Sequence, residues 1–292
     1  MKRFTKIMLI ISTVFMILGL ALMLGTGLLD DLYYGNEELN IGPVGIRIKE
    51  AAEFVEHGEE WLGHEFAAVI KADEEYHDVR LAGNEVHELE IDVKAASLEI
   101  VRDERIDGIA IVEGSKLLDV YHSVDENTLC LDIKKKGKYE SINNVEDAKL
   151  ILRIPAHMEF EELDINLNAG ALEADQLDAK ELSLNLNASA AEIQELNVGV
   201  LDVENNAGAL RAYGTIGEML EVDCNAGATE IQIKGAYADF NYEMNCNVGA
   251  IRIGDEEYSG LKSAVSLKQE KARKNMDLDC GAGEIDIQFE KE

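Results

Sequence analysis

Three cysteines, Cys224, Cys246 and Cys280, share one position: each stands one residue before a copy of a recurring short turn. A column of thiols is chemistry-bearing, because thiolates bind soft metals and oxidise to disulfides. The same slot is Leu167 and Leu186 in earlier copies of the turn. That substitution pattern predicts a core position, where cysteine acts as a small hydrophobe. Cys130 stands apart, no CxxC pair occurs and no Cys/His cluster has zinc spacing. Spacing alone leaves open whether the cysteines are free thiols.

The six histidines are His57, His64, His77, His87, His122 and His157. His64-Glu65 begins like the zinc motif HExxH, but Ala68 stands where the second histidine belongs. The group from His57 to His87 is a loose metal candidate only. The acidic residues invite a calcium reading, yet the repeat does not match the calcium-binding solenoid pattern GGxGxDxUx. Paired outward carboxylates can hydrolyse glycosides. In a chain with 58 acidic residues such pairs arise by chance. No nucleophile elbow, phosphate loop or dinucleotide fingerprint is present. Asn187-Ala-Ser189 is a formal glycosylation sequon, better explained as a repeat turn. The expectation is therefore a protein that is not an enzyme, with no catalytic residue, metal or cofactor.

Charge narrows the partners. Lys and Arg number 27, and the formal net charge is −31. Nucleic acid is excluded as an expected partner, because phosphate binding needs clustered cations. A cationic peptide or the basic face of an envelope protein suits this field. The plainer alternative is that the acid keeps an exposed surface soluble.

The elements that position these residues begin with an uncharged run, residues 7–29, long enough to span a bilayer. Lys2, Arg3 and Lys6 precede it, and Asp30 and Asp31 follow. The positive-inside rule places residues 1–6 in the cytoplasm and the remainder outside, at a cell membrane crossed once. The run is longer than a signal peptide's apolar region, which favours an uncleaved anchor over a cleaved signal. Residues 30–85 read as a juxtamembrane linker and helical cap, with the helix-prone stretch at 49–72. From Val86 the hydrophobic period becomes two. Residues 86–162 form an irregular first part of a β domain, and 163–292 a regular one.

The regular part repeats. Asn168, Asn187, Asn206, Asn225 and Asn247 head successive turns, with Gly281 in the same slot. The first three steps are 19 residues each, the next 22 and the last 34. Before the turns come patterns such as Leu163-x-Ile165-x-Leu167 and Leu220-x-Val222-x-Cys224, and after them pairs such as Leu210 with Ala212 and Ile285 with Ile287. Such a unit cannot bury its apolar face alone, but stacked copies can. The fold class is all-β: a β-solenoid of coils about 19 to 22 residues long, with an antiparallel sandwich as the competitor.

The turn residues are structural candidates: Asn168, Gly170, Asn187, Asn206, Gly208, Asn225, Gly227, Asn247, Gly249 and Gly283. Asparagine and glycine are expected there because they take positive φ. Alanine keeps the corner small, and stacked asparagines can bond up the column. Residues 255–274 read as an insertion looping out of one coil, lysine-rich in its second half, with an open sheet edge left near Phe289.

At this point a resemblance is clear. "VHELEIDVKAASLEIV", "LRIPAHMEFEELDINLNAGALEA" and the repeated L-x-V-x-x-N-A-G-A units resemble the bacterial β-strand-repeat family called "putative adhesins", including LiaG-like proteins. The resemblance covers about residues 86–290. It implies a membrane-anchored envelope protein of a Gram-positive bacterium, linked to cell-envelope stress, and supplies no catalytic or ligand residue. A surface adhesin or glycan-binding protein is the alternative, and a carbohydrate-active solenoid enzyme a more remote one.

Overall fold

The computed structural model describes residues 68–71, 76–136, 148–259 and 263–290. The expected span at 7–29, the linker and the expected helix over 49–67 lie outside them. The chain divides into units 1–64 and 65–292, and all described residues belong to the second. No helix among the described residues is long and apolar enough to cross a membrane.

The described residues form seventeen strands. The first group is β1 (Ala68–Lys71), β2 (Tyr76–Ala82), β3 (Glu88–Asp103), β4 (Ile109–Gly114), β5 (Leu118–Asp125), β6 (Thr128–Lys135) and β7 (Lys149–Pro155). The middle is β8 (Phe160–Ala174), β9 (Leu177–Asn205), β10 (Ala209–Cys224) and β11 (Ala228–Lys234). The last group is β12 (Phe240–Cys246), β13 (Ala250–Ile253), β14 (Glu256–Ser259), β15 (Ser263–Leu267), β16 (Lys274–Cys280) and β17 (Glu284–Glu290). Residues 68–71, expected to end a helix, are strand β1, paired antiparallel with β5. Ala-Val-Ile-Lys carries two adjacent β-branched residues, which favour an extended backbone once a partner strand is available.

In the middle of the chain two sides of each rung meet at the Asn-x-Gly corner, and a short third segment, such as 196–198 in parallel register with 214–216, links successive rungs. Before the corner, Leu163, Ile165 and Leu167 of β8 lie opposite Leu182, Leu184 and Leu186 of β9, in parallel register. After it, Leu172 lies opposite Ala191 and Ala174 opposite Ile193. β9 turns through a further coil and pairs in parallel with β10, Leu201 opposite Leu220 and Val203 opposite Val222. These in-register parallel ladders exclude the antiparallel sandwich. The alternation puts every second side chain inward, and the inward columns fuse into one buried hydrophobic cluster. Full burial of each Leu or Ile contributes about 1.5–3 kcal/mol. β3 is a full rung as well, with Leu89, Ile91, Leu98 and Ile100 in register with Leu163, Ile165, Leu172 and Ala174.

The stack does not follow the chain at its ends. β10 pairs with β16, and β11 with β17, so residues 274–290 form the next rung after 219–234. The earlier coil, β12 and β13, lies on the far side of that rung. β14 and β15 then fold back antiparallel onto β13 and β12. The stretch expected to loop out therefore contributes two outer strands, and the strand near Phe289 is internal: Ile287 lies between Ile231 and Ile253. The other end uses the same device. β6 and β7 lie parallel on the outer side of β3, with β5 and β4 antiparallel beyond them. The physical reason for the difference is that every rung carries the same two-residue period. Any rung can stack on any other, and turn spacing does not encode which is the neighbour.

Candidate functional site

The corner is the feature the sequence repeats, and its geometry separates three roles. The asparagines form a ladder in one direction. Asn168 donates to Asp92 at 3.0 Å, Asn187 to Asn168 at 3.0 Å, Asn206 to Asn187 at 3.0 Å and Asn225 to Asn206 at 2.8 Å. Because the rung order runs from Asn225 to Gly281 and then to Asn247, Gly281 separates Asn247 from this ladder.

The glycines answer to crowding rather than to φ. Of the corner glycines only Gly170 has a left-handed φ, +146°. A Cβ on Gly208 would lie 2.6 Å from the Ser189 carbonyl oxygen; on Gly227, 2.4 Å from that of Gly208. On Gly283 it would lie 2.5 Å from the Gly227 oxygen, and on Gly249, 2.1 Å from the Gly283 oxygen. Each glycine thus makes room for the carbonyl of its equivalent one rung along. None of the corner asparagines has a positive φ either. The expectation of positive φ fails at all of them except Gly170: the other corners bend without a left-handed residue. Ser189 carries a side chain here, and its hydroxyl donates to the Leu167 carbonyl at 3.2 Å.

Just inside the corner runs the cysteine column, in the order Leu186, Asn205, Cys224, Cys280, Cys246. All four cysteines are buried and free. Burial raises the Cys224 thiol, and burial with the two adjacent cysteines pushes Cys280 up to about 12. Thiolate chemistry is suppressed, as a core role requires. Asn205 is fully buried in the same column and bonded throughout. It accepts from the Gly208 amide at 2.7 Å and donates to the Ala228 carbonyl at 3.2 Å and the Thr229 hydroxyl at 3.1 Å. Among the described residues no group of three or more His, Cys, Asp or Glu is placed to hold a metal ion. His57 and His64 lie outside the described residues.

A second internal polar residue braces the stack. Arg102 is almost wholly buried and donates to the carbonyls of Pro155, Met158 and Gln176 at 2.8 to 2.9 Å and to Asp178 at 2.8 Å. It ties β3 to the next coil through a loop. Sequence reasoning missed it, although an arginine two residues after Ile100 continues the inward phase of that strand.

The two outer faces differ. On the face formed after the corner, charges are mixed: Lys149 pairs with Glu99, Arg211 with Glu230 at 3.2 Å, and Arg252 with Glu284 and Glu257. On the face formed before it, four adjacent strands project Asp202 and Glu204, Glu221 and Asp223, Asp277 and Asp279, and Glu243. On this face, in residues 200–205, 219–224, 241–246 and 275–280, the outward positions hold no lysine or arginine. Asp202 lies opposite Glu221, which lies opposite Asp277, which lies opposite Glu243. Partial burial, and then the neighbouring carboxylates, raise the pKa values of Asp202, Glu221, Asp223 and Asp277. A shallow groove of about 500 Å³ borders the start of these strands, lined by Glu159, Lys180, Asn197, Thr215 and Glu218 among others. Its lysine is paired with Glu161 at 2.7 Å. The sequence predicted an acidic surface but not its concentration on one side.

Fold and face together define a stacked parallel β-repeat protein with a one-sided acidic surface. Residues 156–288 match the family model described as Toastrack DUF4097. That segment, a little under half of the chain, is similar to a Toastrack domain, a β-repeat domain of unknown function. The crystal structure of a "putative cell adhesion protein" from Clostridium sporogenes is similar at 14% identity, covering 74% of this chain and 99% of that one, with a TM-score of 0.41. A "putative adhesin" from Bacteroides fragilis is similar at 11% identity, covering 74% and 98%, with a TM-score of 0.33. No curated protein matches the chain.

Proposed function

We propose that the chain is a membrane-anchored, extracytoplasmic scaffold of the cell envelope. In this reading it is not an enzyme, and its acidic sheet face docks a cationic peptide or the basic face of another envelope protein. The observation that carries the reading is the run of seven carboxylates on four adjacent strands, with no cation in the outward positions between them. Carboxylates that raise one another's pKa are relieved when a cation arrives, so binding lowers a repulsion already present in the free protein. The anchor is supported by the uncharged run at 7–29 and its flanking Lys2, Arg3 and Lys6. A link to envelope stress is part of the proposal.

Full-length protein in nanodiscs, titrated calorimetrically with an oligolysine peptide, tests it. The expected result is saturable binding that weakens steeply with salt, since surface charges are screened over about 8 Å at physiological ionic strength. The variant Asp202→Asn/Glu221→Gln/Asp223→Asn/Asp277→Asn should lose at least about tenfold in affinity, or about 1.4 kcal/mol. Equal affinity in the variant, or no binding at all, overturns the proposal.

A further inference from the structure

The rung latest in the sequence, residues 274–290, occupies a slot between two walls. One wall is Met219–Cys224 with Ala228–Lys234, and the other is Phe240–Cys246 with Ala250–Ile253. Both walls come from earlier in the chain, and both present the same inward pattern. Cys280 therefore sits between Cys224 and Cys246, and Ile287 between Ile231 and Ile253. Backbone bonds close the slot from both sides: the Glu284 amide donates to the Gly227 carbonyl at 3.0 Å, and the Asn247 amide donates to the Cys280 carbonyl at 2.8 Å.

The rung is joined to the outer strands through residues 268–273, where Lys268, Lys271 and Arg273 are exposed. Leu267 pairs opposite Tyr242 on the outer side of β12, and Lys274 opposite Phe240 on its inner side. The connection must cross two strand spacings, roughly 10 Å. Seven peptide steps reach up to about 24 Å. With the two-residue offset along the strand, about 7 Å, the straight-line span is about 12 Å, half of that reach.

We propose that residues 274–290 are an exchangeable rung, and that the partner this slot fits is the same segment of a second copy of the chain. In register, hydrogen bonding and apolar pattern, a rung supplied in trans makes the contacts of one supplied in cis. The result is a dimer in which each copy completes the other's stack. This interaction is independent of the acidic face and of the scaffold reading.

Two full-length variants test it. Leu278→Asp/Ile287→Asp disables the donated rung, and Val222→Asp/Ile231→Asp disables the slot. Each is distinguished by isotope labelling, and amide exchange over residues 88–193 reports whether the rest of the stack is intact. Mixed after refolding together, they should give a dimer by light scattering. Exchange over 228–234 in the first variant should slow at least about tenfold relative to that variant alone. Should the slot variant fail to fold, a synthetic peptide of residues 274–290 added to the first variant should produce the same slowing. A mixture that stays monomeric, with exchange over 228–234 unchanged by either partner, overturns the proposal.

Discussion

Gly227→Ala isolates why the corner repeats glycine. Gly227 has no left-handed φ, so backbone preference alone makes alanine acceptable there. Space does not: the added Cβ would stand 2.4 Å from both the Gly208 carbonyl oxygen and the Asn205 side-chain oxygen. An ordinary contact begins at 3.4 Å, so the corner must open by 1.0 Å, that is 3.4 minus 2.4. The Ala228 amide donates to the same Gly208 oxygen at 3.0 Å, and an opening of that size breaks this bond. Losing that bond costs about 0.5–1.5 kcal/mol, since the half-buried Gly208 carbonyl also accepts from the Asn205 side chain at 3.3 Å. Overpacking a close-packed site costs about 1–3 kcal/mol more. The expected loss is about 1.5–4.5 kcal/mol in all. Gly254→Ala is the control with the opposite character. Its φ is +60° and nothing lies within 4 Å of the added atom, so it carries only the left-handed penalty of about 1–2 kcal/mol. Urea denaturation with a common slope, checked by amide exchange at 219–234, ranks the two. If Gly254→Ala costs as much as Gly227→Ala, the crowding argument is wrong and turn conformation governs the motif.

Three further outcomes are expected. Acidic-face carboxylates raised in the folded state bind protons more readily folded than unfolded, so stability rises as pH falls through their raised values toward the ordinary range near 4. Asp103, held down to about 2 by Arg105, has the opposite sign: its contribution is present above the ordinary value and is lost near pH 2. Tm should therefore rise from pH 7.5 to about 5 and drop by about 2.5, and a steady fall from neutrality contradicts the first half. The Cys280 thiol, moved from 9.0 to about 12, holds at pH 8 about a thousandth of the thiolate of a free cysteine. Ellman's reagent should label the folded protein at Cys280 only after denaturant is added, and prompt native labelling there would place that thiol outside the core. Arg102→Ala removes four hydrogen bonds but leaves Asp178 bonded to Gln176 and Asn197 and the Pro155 carbonyl bonded to the Met158 amide, and should cost about 1–3 kcal/mol by denaturation. Arg102→Lys should recover little, since an ammonium cannot fork across these acceptors.

The local design was legible because it is written in single residues. Leu163-x-Ile165-x-Leu167 and its copies encode two faces, and the 19-residue step from Asn168 to Asn225 encodes stacked corners that the asparagine ladder then joins. The order of the rungs was not legible. Leu220-x-Val222-x-Cys224 accepts Met276-x-Leu278-x-Cys280 and Tyr242-x-Met244-x-Cys246 on equal terms, and only the extra strands within the 34-residue step select the first as neighbour. The reason for the glycines was hidden for a related cause. Crowding at Gly227 is set by Gly208, a residue 19 positions away, whereas φ preference is a property of the residue itself. Asn205 was visible as a break in the apolar column, but its bonds to Ala228 and Thr229 depend on the next rung. The one-sided acid needed the register that sets Asp202, Glu221, Asp277 and Glu243 in line.

The departure from chain order has a physical consequence at the sheet's edge. Stacked in sequence, the rung with Ile285, Ile287 and Phe289 would lie beyond the hairpin and expose an apolar parallel edge. Such an edge is a template for pairing with other chains. In the observed order that rung is enclosed, and β14, four residues long with Glu256 and Glu257 exposed, lies on the outer side of β13. Short charged outer strands discourage unspecific addition, and the carboxylate face repels its counterpart on another copy. Encounters between copies are then steered away from the flat face. Under the proposed function, a cationic partner would meet no such barrier, and like-charge repulsion between copies would leave the acidic face open to it.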